Sequence, residues 1–271
     1  SLSTTGCPQM TIPMELKHYG LSEMCGIAGI FNLQHEPVSP VLLQKMGESI
    51  THRGPDGEGT YIDRFVGLAH RRLAIIDLSP AGHQPMQTPD GRYIVSYNGE
   101  IYNFQELRLE LESLGHQFRS RTDSEVVLHA FAQWGETCVT RFNGMFAFVI
   151  WDKQLETLFL ARDRYGIKPL YYYYSDKIFL FASEQKAILT HPTVEKIVDQ
   201  EALLEYFTFQ NIFTDRTLLQ NIRILPAGCW MKVTNGIVSP SPVRYWDFNF
   251  QEPDQPASDD EYLEELDRLF Q

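Results

Sequence analysis

A chain of 271 residues, 43% apolar and 21% charged, has the composition of a folded globular protein with a sizeable core. Its formal net charge of −12 argues against nucleic acid or an anionic membrane surface as the main partner, because both demand concentrated Lys and Arg. No run approaches the ~20 apolar residues of a membrane helix, and Cys7, Cys25, Cys138 and Cys229 include no Cys-x-x-Cys pair, so no membrane span, zinc knuckle or disulfide framework is expected and a reducing cytoplasm fits best.

Residues 1–24 show no clear periodicity and begin without an initiator Met, so they are read as a leader: an appended remnant, a propeptide or a start assigned too early. From Met24 the pattern turns to short β-type runs bounded by turn residues, predicting strands over Gly26–Asn32, Gly59–Ile62, Val66–His70 and Arg92–Tyr97. Helices are predicted over Pro40–Ile50, from an Asn103 N-cap with Glu106 at capping-box spacing to Leu114, and after Thr122-Asp123-Ser124-Glu125. Met145–Asp152, Thr157–Arg162, Leu170–Tyr174 and Lys177–Ala182, rich in Phe and Tyr, read as successive strands of an antiparallel system. Gln251–Asp260 reads as a linker. Beyond it Ser258 and Glu261 have capping-box spacing, and Tyr262, Leu263, Leu266, Leu269 and Phe270 form a helical apolar stripe. A helix that displays such a face and stops at Gln271 is expected to have lost its partner, so the chain is read as a fragment whose missing part lies C-terminal.

Taken alone, Cys25-Gly26 before a strand is a weak signal, since a free cysteine is most often a small buried hydrophobe. Its company changes the odds: His52-Arg53-Gly54-Pro55-Asp56-Gly57, His70-Arg71-Arg72-Leu73-Ala74-Ile75-Ile76-Asp77, Tyr97-Asn98-Gly99-Glu100-Ile101-Tyr102-Asn103 and Thr122-Asp123-Ser124-Glu125 follow in order. Arg162-Asp163 with Gly166-Ile167-Lys168-Pro169-Leu170, Ala182-Ser183-Glu184 and Leu225-Pro226-Ala227-Gly228 continue the set as far as Tyr245-Trp246. This set resembles the glutaminase domain of class II glutamine amidotransferases, within it the asparagine synthetase (glutamine-hydrolysing) branch.

The resemblance implies an α+β fold, the four-layer αββα N-terminal-nucleophile sandwich of two antiparallel sheets flanked by helices. It divides the chain into the leader 1–24, a glutaminase domain 25–248, and a linker with the truncated first helix of an absent synthetase domain, 249–271. Cys25 would be the nucleophile and its own α-amine the base, since an amine of pKa roughly 7.7 to 8.0 already lies within reach of the thiol. Asn98 and Gly99 would form the oxyanion hole, although Asn-Gly after a strand is also a strong hairpin signal. Arg72 would take the glutamine α-carboxylate and Asp123 its α-ammonium, with backbone groups at Leu73, Ile75, Ile76 and Glu100 completing the pocket. The commoner roles for such residues, a surface ion pair for Arg72 and a first-turn acid for Asp123, are outweighed by the register of the whole set. The Gly-Pro-Asp-Gly turn after His52-Arg53 is assigned to the pocket wall, and Arg162–Lys168, which lacks a phosphate cradle, to structure or to contact with a downstream domain.

No metal or cofactor is expected in this domain; ATP and Mg belong to the missing synthetase domain. The expected partners are L-glutamine and that domain of the same parent chain, with a homodimer also considered. Because Cys25 is internal, the chain as written is expected to be inactive until Cys25 becomes N-terminal. Two alternatives stand beside this reading: a catalytically silent glutamine-binding module, and an amidotransferase domain serving a different amide-forming synthetase.

Overall fold

The computed structural model describes residues 24–74, 80–234, 237–238, 241–250 and 257–270. The leader through Glu23, Ile75, Ile76 and Asp77, and linker residues 251–256 lie outside the described residues.

The first half of the chain sets β1 (Gly26–Asn32), α1 (Pro40–Ser49), β2 (Gly57–Asp63), β3 (Val66–Arg72), β4 (Met86–Gln87), β5 (Tyr93–Ile101), α2 (Phe104–Ser113), α3 (Asp123–Trp134) and α4 (Cys138–Arg141) in order. The second half adds β6 (Gly144–Asp152), β7 (Thr157–Arg162), β8 (Tyr171–Tyr174), β9 (Ile178–Ala182), α5 (Gln185–Ile188), α6 (Gln200–Phe209), β10 (Ile222–Ile224), β11 (Cys229–Thr234), β12 (Ile237–Val238), β13 (Val243–Arg244) and α7 (Asp259–Phe270). One sheet orders its strands β10-β8-β9-β1-β3-β2, the other β12-β11-β7-β6-β5-β4, with β13 paired to β11. The pairings within both sheets are antiparallel.

Three apolar clusters fix the layers. Ile27, Phe31 and Leu68 of the first sheet meet Val149, Trp151 and Leu160 of the second, and Phe31 and Trp151 stack edge to face at 5.5 Å. The second sheet's other face packs Tyr97, Phe146 and Phe148 under Leu107 and Leu111 of α2 and Val126 and Val127 of α3. The outer face of the first sheet covers Ala28, Ile30 and Leu180 with Leu43 and Met46 of α1 and Ala187 of α5. The result is the expected sandwich, helix on sheet on sheet on helix. Strand β6 is central and covered on both faces, which is why Phe146 to Trp151 is an unbroken apolar run instead of an alternation.

Local chemistry accounts for most element boundaries. Ser39 caps α1 by accepting from Leu42 N, and Ser258 and Glu261 form a reciprocal capping box on α7, Glu261 Oε2 accepting from Ser258 N at 2.8 Å. The apolar stripe of α7 is exposed along its whole length. Asn98-Gly99 does not adopt the hairpin turn that the pair alone would suggest: β5 runs on to Ile101, with Asn98 opposite Ala147 and Gly99 opposite Phe146 of β6. The capping box expected at α2 is corrected. Asn103 precedes α2 without capping it, because its side chain is drawn off by the neighbouring turn, Nδ2 donating to Arg141 O at 3.0 Å and Oδ1 accepting from Asn143 N at 2.9 Å. Among the described residues no helix is long and apolar enough to cross a membrane.

Candidate active site

Cys25 sits immediately before β1, and the register of Gly26 opposite Arg71 carries it to the end of β3. There Leu73 grips the sulfur from both sides, its N–H donating to Sγ at 3.3 Å and its carbonyl accepting from Sγ at 3.6 Å. Arg53 steadies the same residue: its Nε donates to Cys25 O at 3.1 Å, while its Nη1 pairs with Glu184 at 3.1 Å. Burial pushes the Cys25 thiol up; the Leu73 N–H opposes this, Asp123 adds to it, and the cations of Arg72 and Lys168 also pull it down.

The sulfur faces a cavity of about 280 Å³ that collects groups from distant parts of the chain. Asn98, Gly99 and Glu100 enter from the far end of β5, and Thr122, Asp123 and Ser124 from the first turn of α3. Asn98 is buried, and its Nδ2 has no hydrogen-bond partner among the described residues, an uncommon condition for a buried amide. Gly99 passes so close to β6 that a Cβ there would lie 2.7 Å from Phe146 Cα and nearer still to Met145 O. Asp123 is also buried; burial pushes its carboxyl up, while Tyr97 OH, donating at 2.5 Å, and Ile101 N, donating at 3.0 Å, act against that. The helix starts where it does because Thr122 Oγ1 accepts from Glu125 N at 3.3 Å, and Glu125 in turn accepts from Arg119 N and Ser120 N.

Arg72 lines the cavity from the end of β3, buried against Gly82, where a Cβ would stand 2.5 Å from its Nη2. Leu73 and Glu100 line it as well, whereas Ile75 and Ile76 lie outside the described residues. The His52–Asp56 turn does not line it. Instead it buttresses the wall: Asp56 N donates to Arg72 O at 3.0 Å, and Ala74 N donates to Asp56 Oδ2 at 2.9 Å.

Several lining residues carry no local sequence signal of a role in the site. Gln84 bridges β5 and α3, accepting from Tyr97 N at 2.7 Å and donating to Ser124 Oγ at 3.1 Å. Gly82 makes room for Arg72, and Lys168, assigned from sequence to a structural segment, opens into the cavity. Among the described residues no cluster of His, Cys, Asp and Glu is arranged to hold a metal ion.

Taken together, a half-buried thiol, an unpartnered amide donor, a buried cation and a buried carboxylate surround a volume suited to a small zwitterion. Residues 24–246 match the model of the glutamine amidotransferase domain family. The chain is 43% identical over 187 residues to asparagine synthetase (glutamine-hydrolysing) 3 of Bacillus subtilis, covering 68% of this chain and 30% of that protein. It is 40% identical over 208 residues to asparagine synthetase (glutamine-hydrolysing) 1 of the same organism, covering 76% and 33%. The chain thus spans about a third of the length of these curated relatives. Its fold is similar to that of the glutamine phosphoribosylpyrophosphate amidotransferase of B. subtilis, with a TM-score of 0.60 at 17% identity over 82% of this chain and 49% of that one.

Proposed function

The chain belongs to the glutamine amidotransferase domain family, and from that premise we propose that its cavity hydrolyses L-glutamine to glutamate and ammonia through a thioester on Cys25. The observation that carries this reading is the buried, unpartnered Nδ2 of Asn98 in the same cavity as the Cys25 sulfur, a donor desolvated in advance of any acceptor.

Glutamine would bind with its α-carboxylate on Arg72, whose planar fork suits a carboxylate, and its α-ammonium beside Asp123. The thiol proton passes to a base as the sulfur bonds to the side-chain carbonyl carbon, leaving an oxyanion that Asn98 Nδ2 and Gly99 N–H receive. Collapse of that intermediate breaks the carbon–nitrogen bond, the base returns its proton to the departing nitrogen, and ammonia leaves. Water then attacks the γ-glutamyl thioester, releasing glutamate and regenerating the thiol.

The base is the α-amine of residue 25 once that residue is N-terminal. Within this chain the nitrogen of Cys25 is a peptide amide joined to Met24, and an amide cannot take the proton. Met24 itself lines the cavity, its N–H on Arg53 O at 3.1 Å. The 271-residue chain is therefore silent until Met24 and everything before it are removed. The ammonia would serve an ATP- and Mg-dependent synthetase domain of the parent chain, making asparagine, a reading supported by the identity to the B. subtilis asparagine synthetases. Ammonia release by this chain and by one beginning at Cys25 tests the proposal: release is expected from the second alone. Equal release, with the leader shown intact by mass spectrometry, would contradict it.

A further inference from the structure

Lys168 is 5% exposed, and among the described residues it forms no ion pair. A buried ammonium without a carboxylate is costly unless its charge serves the site it faces. The segment that carries it is held by the two side chains that begin it. Arg162 Nε donates to Lys168 O at 2.8 Å and Nη2 to Gly166 O at 2.5 Å, while Asp163 accepts from Tyr165 N and Ile167 N on one oxygen and from Phe146 N and Lys168 N on the other. With the carboxylate of Asp163 so engaged, Lys168 lines the cavity, its Nζ lying against Met24 Sδ on the residue adjoining the nucleophile.

We propose that Lys168 supplies a fixed positive charge to the glutamine cavity that favours the anionic, attacking form of the Cys25 sulfur. The inference rests on the glutamine-hydrolysing reading above. Other charged or titratable groups face this pair: Asp123 stands against the thiolate and Arg72 favours it, Tyr97 faces it as a neutral phenol, and Lys168 itself feels Arg53, Asp163 and Glu100. Burial and Arg53 push the lysine down, and the acidic groups and the Cys25 thiol pull it back. Arg72 is the other cation acting on the sulfur, but it is assigned to the substrate carboxylate, which would offset its charge when glutamine binds.

The test is the pH profile of Cys25 alkylation by iodoacetamide, read by peptide mass spectrometry so that Cys7, Cys138 and Cys229 are counted separately. It needs no turnover and works on the full chain. In Lys168→Met the rising limb is expected to move to higher pH by about one pH unit, slowing alkylation near neutral pH by up to about tenfold, with Lys168→Arg returning towards wild type. A Lys168→Met profile superimposable on wild type, in a protein with unchanged thermal melting, overturns the proposal; if that variant does not fold, Lys168→Gln carries the same comparison. Glutamine protection separates the two readings. Failure of glutamine to slow wild-type alkylation sinks the substrate reading, whereas protection with superimposable profiles sinks the role of Lys168 alone.

Discussion

At Asn98 the proposed oxyanion role rests on one atom. A buried amide nitrogen ordinarily finds an acceptor, and leaving it without one costs about 1–3 kcal/mol, so an Nδ2 with no partner among the described residues supports that role. In a chain starting at Cys25, Asn98→Ala should lower kcat for ammonia release by about 100- to 1,000-fold with a much smaller change in KM. An unchanged kcat would remove Asn98 from the mechanism. Gly82 makes the complementary case for binding. A methyl group there would press on the Arg72 guanidinium, so Gly82→Ala should raise KM for glutamine by roughly tenfold and leave kcat nearly intact; the reverse split would argue against Arg72 as the carboxylate partner. Asn98 was legible in the sequence because it stands within a dense motif. Gly82 and Gln84 were not, since their roles arise only where separate segments cross.

At the scale of elements, α3 shows how a helix start delivers a side chain. Asp123 is placed by the hook that precedes it, in which Glu125 reaches back to Arg119 N at 2.8 Å and Ser120 N at 2.7 Å. Burial pushes the Glu125 carboxyl up, but hydrogen bonds from His129, Ser120 and Arg119 outweigh it and hold the group at about 2 against an ordinary 4.5. A depressed carboxyl contributes stability that is complete above pH 4.5 and fades as pH falls towards 2. Glu125→Gln should therefore melt about 2–4 °C lower than wild type at neutral pH, with the gap closing through that acid window; a gap independent of pH would contradict the assignment. Strands with strong apolar runs, such as Gly26–Asn32 and Thr157–Arg162, could be read from sequence to the residue. The Asn-Gly pair misleads in isolation because pairing with β6 overrides its turn propensity, and the Asn103 box misleads because a tertiary acceptor competes for the side chain. Helix α6 and strands β10 to β13 gave little signal: the strands have 2 to 6 residues, and Leu204, Phe207 and Phe209 of α6 stay exposed, which blurs its amphipathic pattern.

Over the whole molecule, the two sheets act as a frame that brings the ends of β3 and β5, the start of α3 and the residue before β1 to one cavity. The layer order could be anticipated from the motif set, yet the cavity's full lining could not, because Lys168 arrives through a loop that, lacking a phosphate cradle, reads as structural or as a contact with a downstream domain. Cys25 lies at the centre of that frame, and its thiol is the group proposed to take the γ-glutamyl unit. The most direct test is the release of glutamate and ammonia from glutamine by the chain beginning at Cys25, measured beside its Cys25→Ala counterpart. Equal amounts of the two products are expected from the first and background from the second; undiminished release by Cys25→Ala would contradict the role of Cys25.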